Sequence, residues 1–212
     1  MIRPIAPDGL HEFVESHLPA ALGTAIDLGT GRGAMAERLQ MRGHRVTGVD
    51  LSSQGFEAKV PHIILNLNQD DFAAKLGNFD LVTAVEVIEH VESPINFLRN
   101  VGRLLTPNGI SVITTPNVDS LPARIKHLLT GSIRLMDAHG EPTHISPIFI
   151  DLFRRQFLPL SGLTLLEHHL YPPNGFHATR GWISWLLRQG CRISSEPSIV
   201  GDHHVFVLQR SK

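Results

Sequence analysis

Cysteine is nearly absent. Cys191 is the one thiol in 212 residues, which excludes an internal disulfide and any zinc site built on several thiolates. That usage fits a reducing compartment, and the cytoplasm is the expected location. Neither sign of charge is in surplus: 19 Lys and Arg stand against 20 Asp and Glu, for a net charge of −1. No global positive field exists to collect nucleic acid, so nucleic acid is not an expected partner. No apolar run approaches the roughly 18 residues that suggest a membrane span. The opening MIRPIAPDGLHEF has no long apolar core, so a cleaved signal peptide is not expected. Internal repeats and low-complexity segments are also missing. What is there is an ordinary apolar content of 42%, in a length that suits one α/β domain covering residues 1–212.

The order of elements is legible in the first half. DGLHEFVESH (8–17) suits a short leading helix. Ala25–Leu28 is a short apolar run ending in glycines, and Ala34–Met41 is helical up to Gly43. Residues 44–49, 62–65 and 79–85 read as strands. Pro94–Leu105 places Ile95, Leu98, Val101, Leu104 and Leu105 on one helical face, and Thr106-Pro-Asn-Gly109 then turns the chain into a strand at Ile110–Thr115. Alternating apolar strands and helices argue for a mostly parallel sheet covered on both faces. Past Pro116 the rhythm breaks, with helical patterns at Leu121–Thr130, Ile148–Leu158 and Gly181–Arg188, and extended runs at Leu163–Tyr171 and His204–Gln209. The two late strands predict a seven-stranded, Rossmann-like, doubly wound sheet with one reversed edge strand.

The sharpest local signal is Ala25-Ile-Asp-Leu-Gly-Thr-Gly-Arg-Gly33. Glycines 29, 31 and 33 follow a strand and open a helix, where backbone can approach a nucleotide-like ligand and present N–H groups to it. Asp50 ends the next strand, where a carboxylate can accept hydrogen bonds from both hydroxyls of a ribose. With Ala34 the loop also satisfies the permissive dinucleotide pattern, so a nicotinamide-dependent oxidoreductase is one alternative, and a tight turn without a ligand is another. Asp27 beside the glycines would repel a pyrophosphate and attract a positively charged amino acid moiety. A short-chain dehydrogenase would also want Tyr-x-x-x-Lys, whereas the single tyrosine, Tyr171, has Gly at position 175.

The loop, Asp50 and the run Phe79-Asp-Leu-Val-Thr-Ala-Val-Glu-Val-Ile-Glu-His-Val91 together resemble the class I S-adenosylmethionine-dependent methyltransferases. Glu-Val-Ile-Glu-His is similar to the branch holding the ubiquinone-biosynthesis O-methyltransferases, and Leu105-Thr-Pro-Asn-Gly109 resembles that family's turn with Asn108 in place of a glycine. The likeness covers about residues 20–116, with the remainder matching only in layout. It implies S-adenosylmethionine as cofactor. Asp27 and the Gly29–Thr30–Gly31–Gly33 backbone would hold its methionine end, Asp50 its ribose and Leu51 its adenine. Asn66 and Leu67 would sit where the family contacts the adenine amino group, Asn66 through its amide oxygen. Val85 and Glu86 would line the cofactor after the fourth strand.

Methyl transfer from a sulfonium mainly needs alignment, and a hydroxyl acceptor needs a base as well. Among 13 histidines, His90 is the first candidate and His144 the second; each can alternatively order a loop. A small-molecule hydroxyl is the expected acceptor, and a methyltransferase-like binding protein without catalysis is the rival from another class. Some relatives with a Glu-x-x-Glu-His run, including small-RNA 2′-O-methyltransferases, hold a divalent ion, so Glu86, Glu89, His90 and His144 form a carboxylate–imidazole candidate set, although a metal is not expected. Spacing lets Glu86 face the same way as Glu89 or His90 on a helical turn. Segments 117–145 and 171–202 are expected on the acceptor side, with 117–145 and 171–190 roofing the pocket. In the first, Leu121, Ile125, Leu128 and Leu129 lie at helical spacing, which suits a lid, packing on the core, or membrane contact through 121–134. Trp182, Trp185, Leu186 and Leu187, with Arg180 and Arg188, could cover the same pocket or form a dimer surface.

Overall fold

The computed structural model describes residues 1–19, 23–137, 142–177, 181–191 and 199–211. Seven strands form one sheet in the order β3-β2-β1-β4-β5-β7-β6: β1 Thr24–Leu28, β2 Arg45–Asp50, β3 His62–Ile64, β4 Phe79–Ala84, β5 Leu105–Pro116, β6 Leu163–Tyr171 and β7 His203–Arg210. The first five run parallel, and β7 alone is reversed, pairing antiparallel with both β5 and β6. The expected architecture therefore holds, and the reversed strand lies one in from the rim with β6 outside it. This placement turns out to matter for the site, because a reversed strand begins where its parallel neighbours end.

Helices cover both faces. α1 (Leu10–Ser16) and α2 (Ala34–Met41) pack on one side, where Leu10, Val14, Met35 and Leu39 are fully buried against β1, β2 and β5. α3 (Pro94–Leu104) packs on the other, starting with Pro94 inside a Ser93 cap whose side chain accepts the Asn96 N–H. It buries Phe97, Leu98, Val101 and Leu104; each such side chain contributes about 1.5–3 kcal/mol of transfer free energy. Phe97 belongs to this face, whereas the expected Ile95 is only partly buried. Asn100, buried among them, is satisfied by Ala73 N, Asp70 O and Asn96 O.

Two elements differ from the sequence pattern. Thr106–Gly109 is no separate turn but part of β5, looped out where the register with β4 jumps from Phe79↔Leu105 to Leu81↔Ile110. The helix expected over Ile148–Leu158 is α5 (Ile150–Leu152), a wide turn at Phe153–Phe157, and α6 (Leu158–Ser161). Pro159 cannot donate into the helical ladder, and the wide turn sits just ahead of it.

Beyond β5, α4 (Leu121–Thr130) turns Pro122 and Ala123 inward and leaves Leu128 and Leu129 83% and 76% exposed. Its packing partner is α7 (Gly181–Cys191), through a small cluster of Phe176, Cys191 and Ile199 with Leu121 and Leu187. Of the apolar stripe of α4, Leu121 packs in this cluster while Ile125, Leu128 and Leu129 face solvent. Trp185 and Leu186 are also exposed, while Arg180 and the side chains of Trp182 and Arg188 lie outside the described residues. No helix among the described residues is long and apolar enough to cross a membrane.

Candidate functional site

A cavity of about 690 Å³ opens at the carboxyl ends of the parallel strands, where open α/β sheets collect ligands. One wall is the β1–α2 loop. Gly29 has φ 64°, and a Cβ there would meet Val87 Cγ2 at 2.5 Å; Gly33, at φ 89°, caps α2 and would meet Ala58 Cβ at 2.5 Å. Both positions therefore require glycine, for backbone conformation and for space. At Gly31 the space is open apart from Ile5 at 3.6 Å.

Asp50 ends β2 at the cavity edge. Its Oδ2 accepts Gly31 N–H at 2.7 Å and its Oδ1 accepts Leu51 N–H at 2.7 Å, so the carboxylate is fixed in place with lone pairs to spare. Asp27 lies at the floor, 2% exposed, accepting the hydroxyls of Thr30 at 2.6 Å and Thr83 at 2.7 Å. Burial raises its pKa to about 6 against those two hydrogen bonds. The site thus holds a carboxylate whose ionised form burial disfavours and a facing cation would favour. Leu51 lines the mouth at 67% exposure, and Asn66 and Leu67 line it beyond β3. Asn66 Oδ1 accepts Asn68 N–H at 2.9 Å, which leaves it one further acceptor site.

Every residue the sequence assigned to cofactor or catalysis lines this cavity except Glu89, which is buried behind it, and Gly33, which caps α2 at its edge. His90 and His144 come together because Glu89 O accepts both Ile145 N–H and Ser146 N–H at 2.9 Å, while Ser146 Oγ donates to Val91 O at 2.7 Å. The two rings pack edge-on with centroids 4.5 Å apart. His90 Nδ1 faces Thr143 O at 3.2 Å and His144 Nδ1 faces Leu135 O at 2.7 Å, while His144 Nε2 lies 3.8 Å from Glu89 Oε1. Burial, then the charge of Glu86, holds the Glu89 carboxyl well above its usual range. One ligand atom each from Glu89, His90 and His144 fall within 4.8 Å of one another.

Glu86 does not join them. It stands at φ 55°, outside the Ile88–His90 helical turn, and its carboxylate meets His203 instead. The expected shared helical face of Glu86, Glu89 and His90 is thereby corrected: the left-handed residue breaks the helical spacing. Glu86 N–H donates to Thr114 Oγ1 at 2.9 Å and Thr114 Oγ1 donates to Glu86 Oε1 at 2.7 Å. His203 Nδ1 lies 2.9 Å from Glu86 Oε2. Burial opposes the charge on both, yet their pairing prevails, lowering Glu86 and raising His203.

Three lining groups escaped sequence reasoning: the leading Ile5–Pro7, His11 and His203. None carries a local motif, and the strand expected over His204–Gln209 stops one residue short of His203. The acceptor-side segments contribute unevenly. Leu135, Thr143 and His144 line the cavity, but no described residue of 171–190 does, because α7 packs on α4. Tyr171 donates its hydroxyl to Asp8 O at 2.7 Å, an anchoring use that counts against a dehydrogenase role.

Residues 3–168 match the family model described as a methyltransferase domain. A ubiquinone biosynthesis O-methyltransferase of Chromobacterium violaceum is 33% identical over 115 residues, 50% of this chain and 50% of that protein. Its counterpart in Psychrobacter cryohalolentis is 30% identical over 157 residues, 65% of this chain and 60% of that one. The chain spans about half to three-fifths of the length of these curated relatives. Among solved structures, a SAM-dependent methyltransferase from Archaeoglobus fulgidus superposes with a TM-score of 0.67 at 15% identity over 94% of both chains. The 1,6-didemethyltoxoflavin-N1-methyltransferase of Burkholderia thailandensis, solved with 1,6-didemethyltoxoflavin and S-adenosylhomocysteine, gives 0.57 at 16% identity, over 95% of this chain and 76% of that one. At such identities these two establish the fold.

Proposed function

The chain belongs to the methyltransferase-domain family, and from that premise we propose that it transfers a methyl group from S-adenosylmethionine to a hydroxyl of a small molecule. The observation that carries this reading is the Asp50 carboxylate, clamped by the Gly31 and Leu51 N–H groups at the rim of a 690 Å³ cavity. Its free lone pairs suit the two hydroxyls of a ribose. Asp27 suits the ammonium of the methionine end, which would restore the charge that burial suppresses. The cofactor supplies an already activated methyl group, so this chain's part is to orient the acceptor and dispose of its proton.

The relatives' names support oxygen as the atom methylated. His90 and His144 stand on the cavity wall within reach of an acceptor. A second use of the same wall is a divalent cation held by Glu89, His90 and His144. The buried Glu89 carboxylate beside two imidazoles is the donor set that magnesium, manganese or zinc accepts, and its role would be to polarise the acceptor oxygen.

Incubation with [methyl-13C]S-adenosylmethionine and a panel of hydroxylated aromatic acids, followed by carbon NMR with and without EDTA, tests the reading. A methoxyl signal is the expected result, and its loss in EDTA adds the cation. Label found on nitrogen or carbon would overturn the hydroxyl acceptor.

A further inference from the structure

β7 runs against its neighbours, so its first residue arrives at the same sheet end as the last residues of β4 and β5. In register, His203 pairs with Pro116 at the end of β5, and Glu86 follows β4. The result is a carboxylate–imidazole pair inside the cavity that holds Asp50 and the glycine loop.

Three observations set this pair apart from the other histidines. First, Glu86 is one of two non-glycine residues with positive φ among those described, and Thr114 engages both its N–H and its carboxylate. A non-glycine backbone held in that region is strained, and here it aims the carboxylate at His203. Second, Glu86 occupies His203 Nδ1, while Nε2 takes no hydrogen-bond partner among the described residues and the residue lines the cavity. Third, the competing carboxylate next door is already committed: Asp202 receives Arg134 Nη1 at 2.7 Å and His177 N–H at 2.6 Å. His90 and His144, by contrast, each turn a ring nitrogen to a main-chain carbonyl and gather on buried Glu89.

We propose that His203 is the general base for methyl transfer and that Glu86 is the positioning residue that orients its ring. The proposal rests on the methyl-transfer reading above. The acceptor's O–H bond breaks as its proton passes to His203 Nε2. The freed oxygen pair forms the bond to the methyl carbon, and the methyl–sulfur bond breaks with its electrons left on sulfur, so the sulfonium becomes a neutral thioether. The imidazolium formed lies against the Glu86 carboxylate, which stabilises it. The charged and titratable groups around His203 are Glu86 after β4, Asp202 and His204 on its own strand, Arg134 beyond α4, His11 from α1 and His144 across the cavity.

The test uses the full chain, S-adenosylmethionine and two probe acceptors, catechol and 4-mercaptobenzoate. The second is already a thiolate at about pH 8 and needs no base. His203→Asn is expected to lower catechol methylation by ~100-fold, with thiol methylation and S-adenosylhomocysteine affinity held within about threefold. Glu86→Gln removes the charge that raises His203, so the acid limb of the catechol pH–rate profile moves to lower pH. Unchanged catechol methylation in His203→Asn, equal loss on both probes, or an acid limb unmoved in Glu86→Gln overturns the proposal. So does a wild-type protein that binds S-adenosylhomocysteine yet methylates neither probe. Failure of the wild type to bind S-adenosylhomocysteine strikes the methyl-transfer reading instead.

Discussion

The two sides of the cavity are built in opposite ways. On the side we assign to the cofactor, Asp27, Gly29, Gly31 and Asp50 come from one βαβ unit, tied by bonds from main-chain N–H groups such as Gly31 N–H to the Asp50 carboxylate. On the side we assign to the acceptor, His11, Leu135, His144 and His203 come from four separate stretches of chain. They are held by long-range side-chain ties, among them Arg134–Asp202 and Glu86–His203. Local chemistry builds the first side, and tertiary structure builds the second.

That contrast can be broken or sharpened by substitution. The largest effect is expected at Arg134→Ala, which takes the guanidinium partner from Asp202, whose side chain is only 2% exposed. Breaking such a pair costs about 3–5 kcal/mol. Thermal melting should fall accordingly, while S-adenosylhomocysteine affinity stays within about threefold; a matching loss of affinity would show that the two sides are not separable. Next comes Asp50→Ala, which would remove the two charge-assisted hydrogen bonds proposed to the ribose and should weaken that affinity ~100-fold, about 3 kcal/mol, with melting little changed. Equal binding by calorimetry would remove Asp50 from the cofactor site.

The pH effect is smaller. Unliganded Asp27 has a pKa of about 6, raised by burial, and a bound ammonium requires its ionised form. Affinity should therefore be full above pH 6 and fall as pH drops, reaching about a tenfold loss one unit below. Calorimetry in buffers of different ionisation heat would register the proton released on binding. A flat profile between pH 5 and 7 would show that Asp27 does not face the ammonium. Smallest of all, Leu128→Ser and Leu129→Ser change exposed positions on α4 and should move stability by no more than about 0.5 kcal/mol. A larger change, or a shift in sedimentation, would reveal that this surface is covered by something else.

The same contrast explains what the sequence disclosed. Gly29, Gly31 and Asp50 are legible because a strand end, a glycine turn and the next strand end lie close along the chain. Asn66 and Leu67 came only through the family resemblance, which places contacts to the adenine after the third strand. His203 was hidden because the expected strand began at His204, and the pairing with β5 that carries His203 to the ligand end is a tertiary contact. Glu86 and Glu89 were wrongly joined for a related reason: three-residue spacing implies one helical face only if no left-handed residue intervenes, and Glu86 is itself left-handed. The segment 117–145, expected as a lid, divides in two. Its loop supplies Leu135 and His144, but α4 leaves Ile125, Leu128 and Leu129 to solvent, because apolar spacing does not say which partner a helix meets.

The most direct test of the central claim is a calorimetric titration of the purified protein with S-adenosylhomocysteine, S-adenosylmethionine and NAD. Micromolar binding of the first two and none of the third is the predicted result. A folded protein that binds NAD alone, or none of the three, would contradict it.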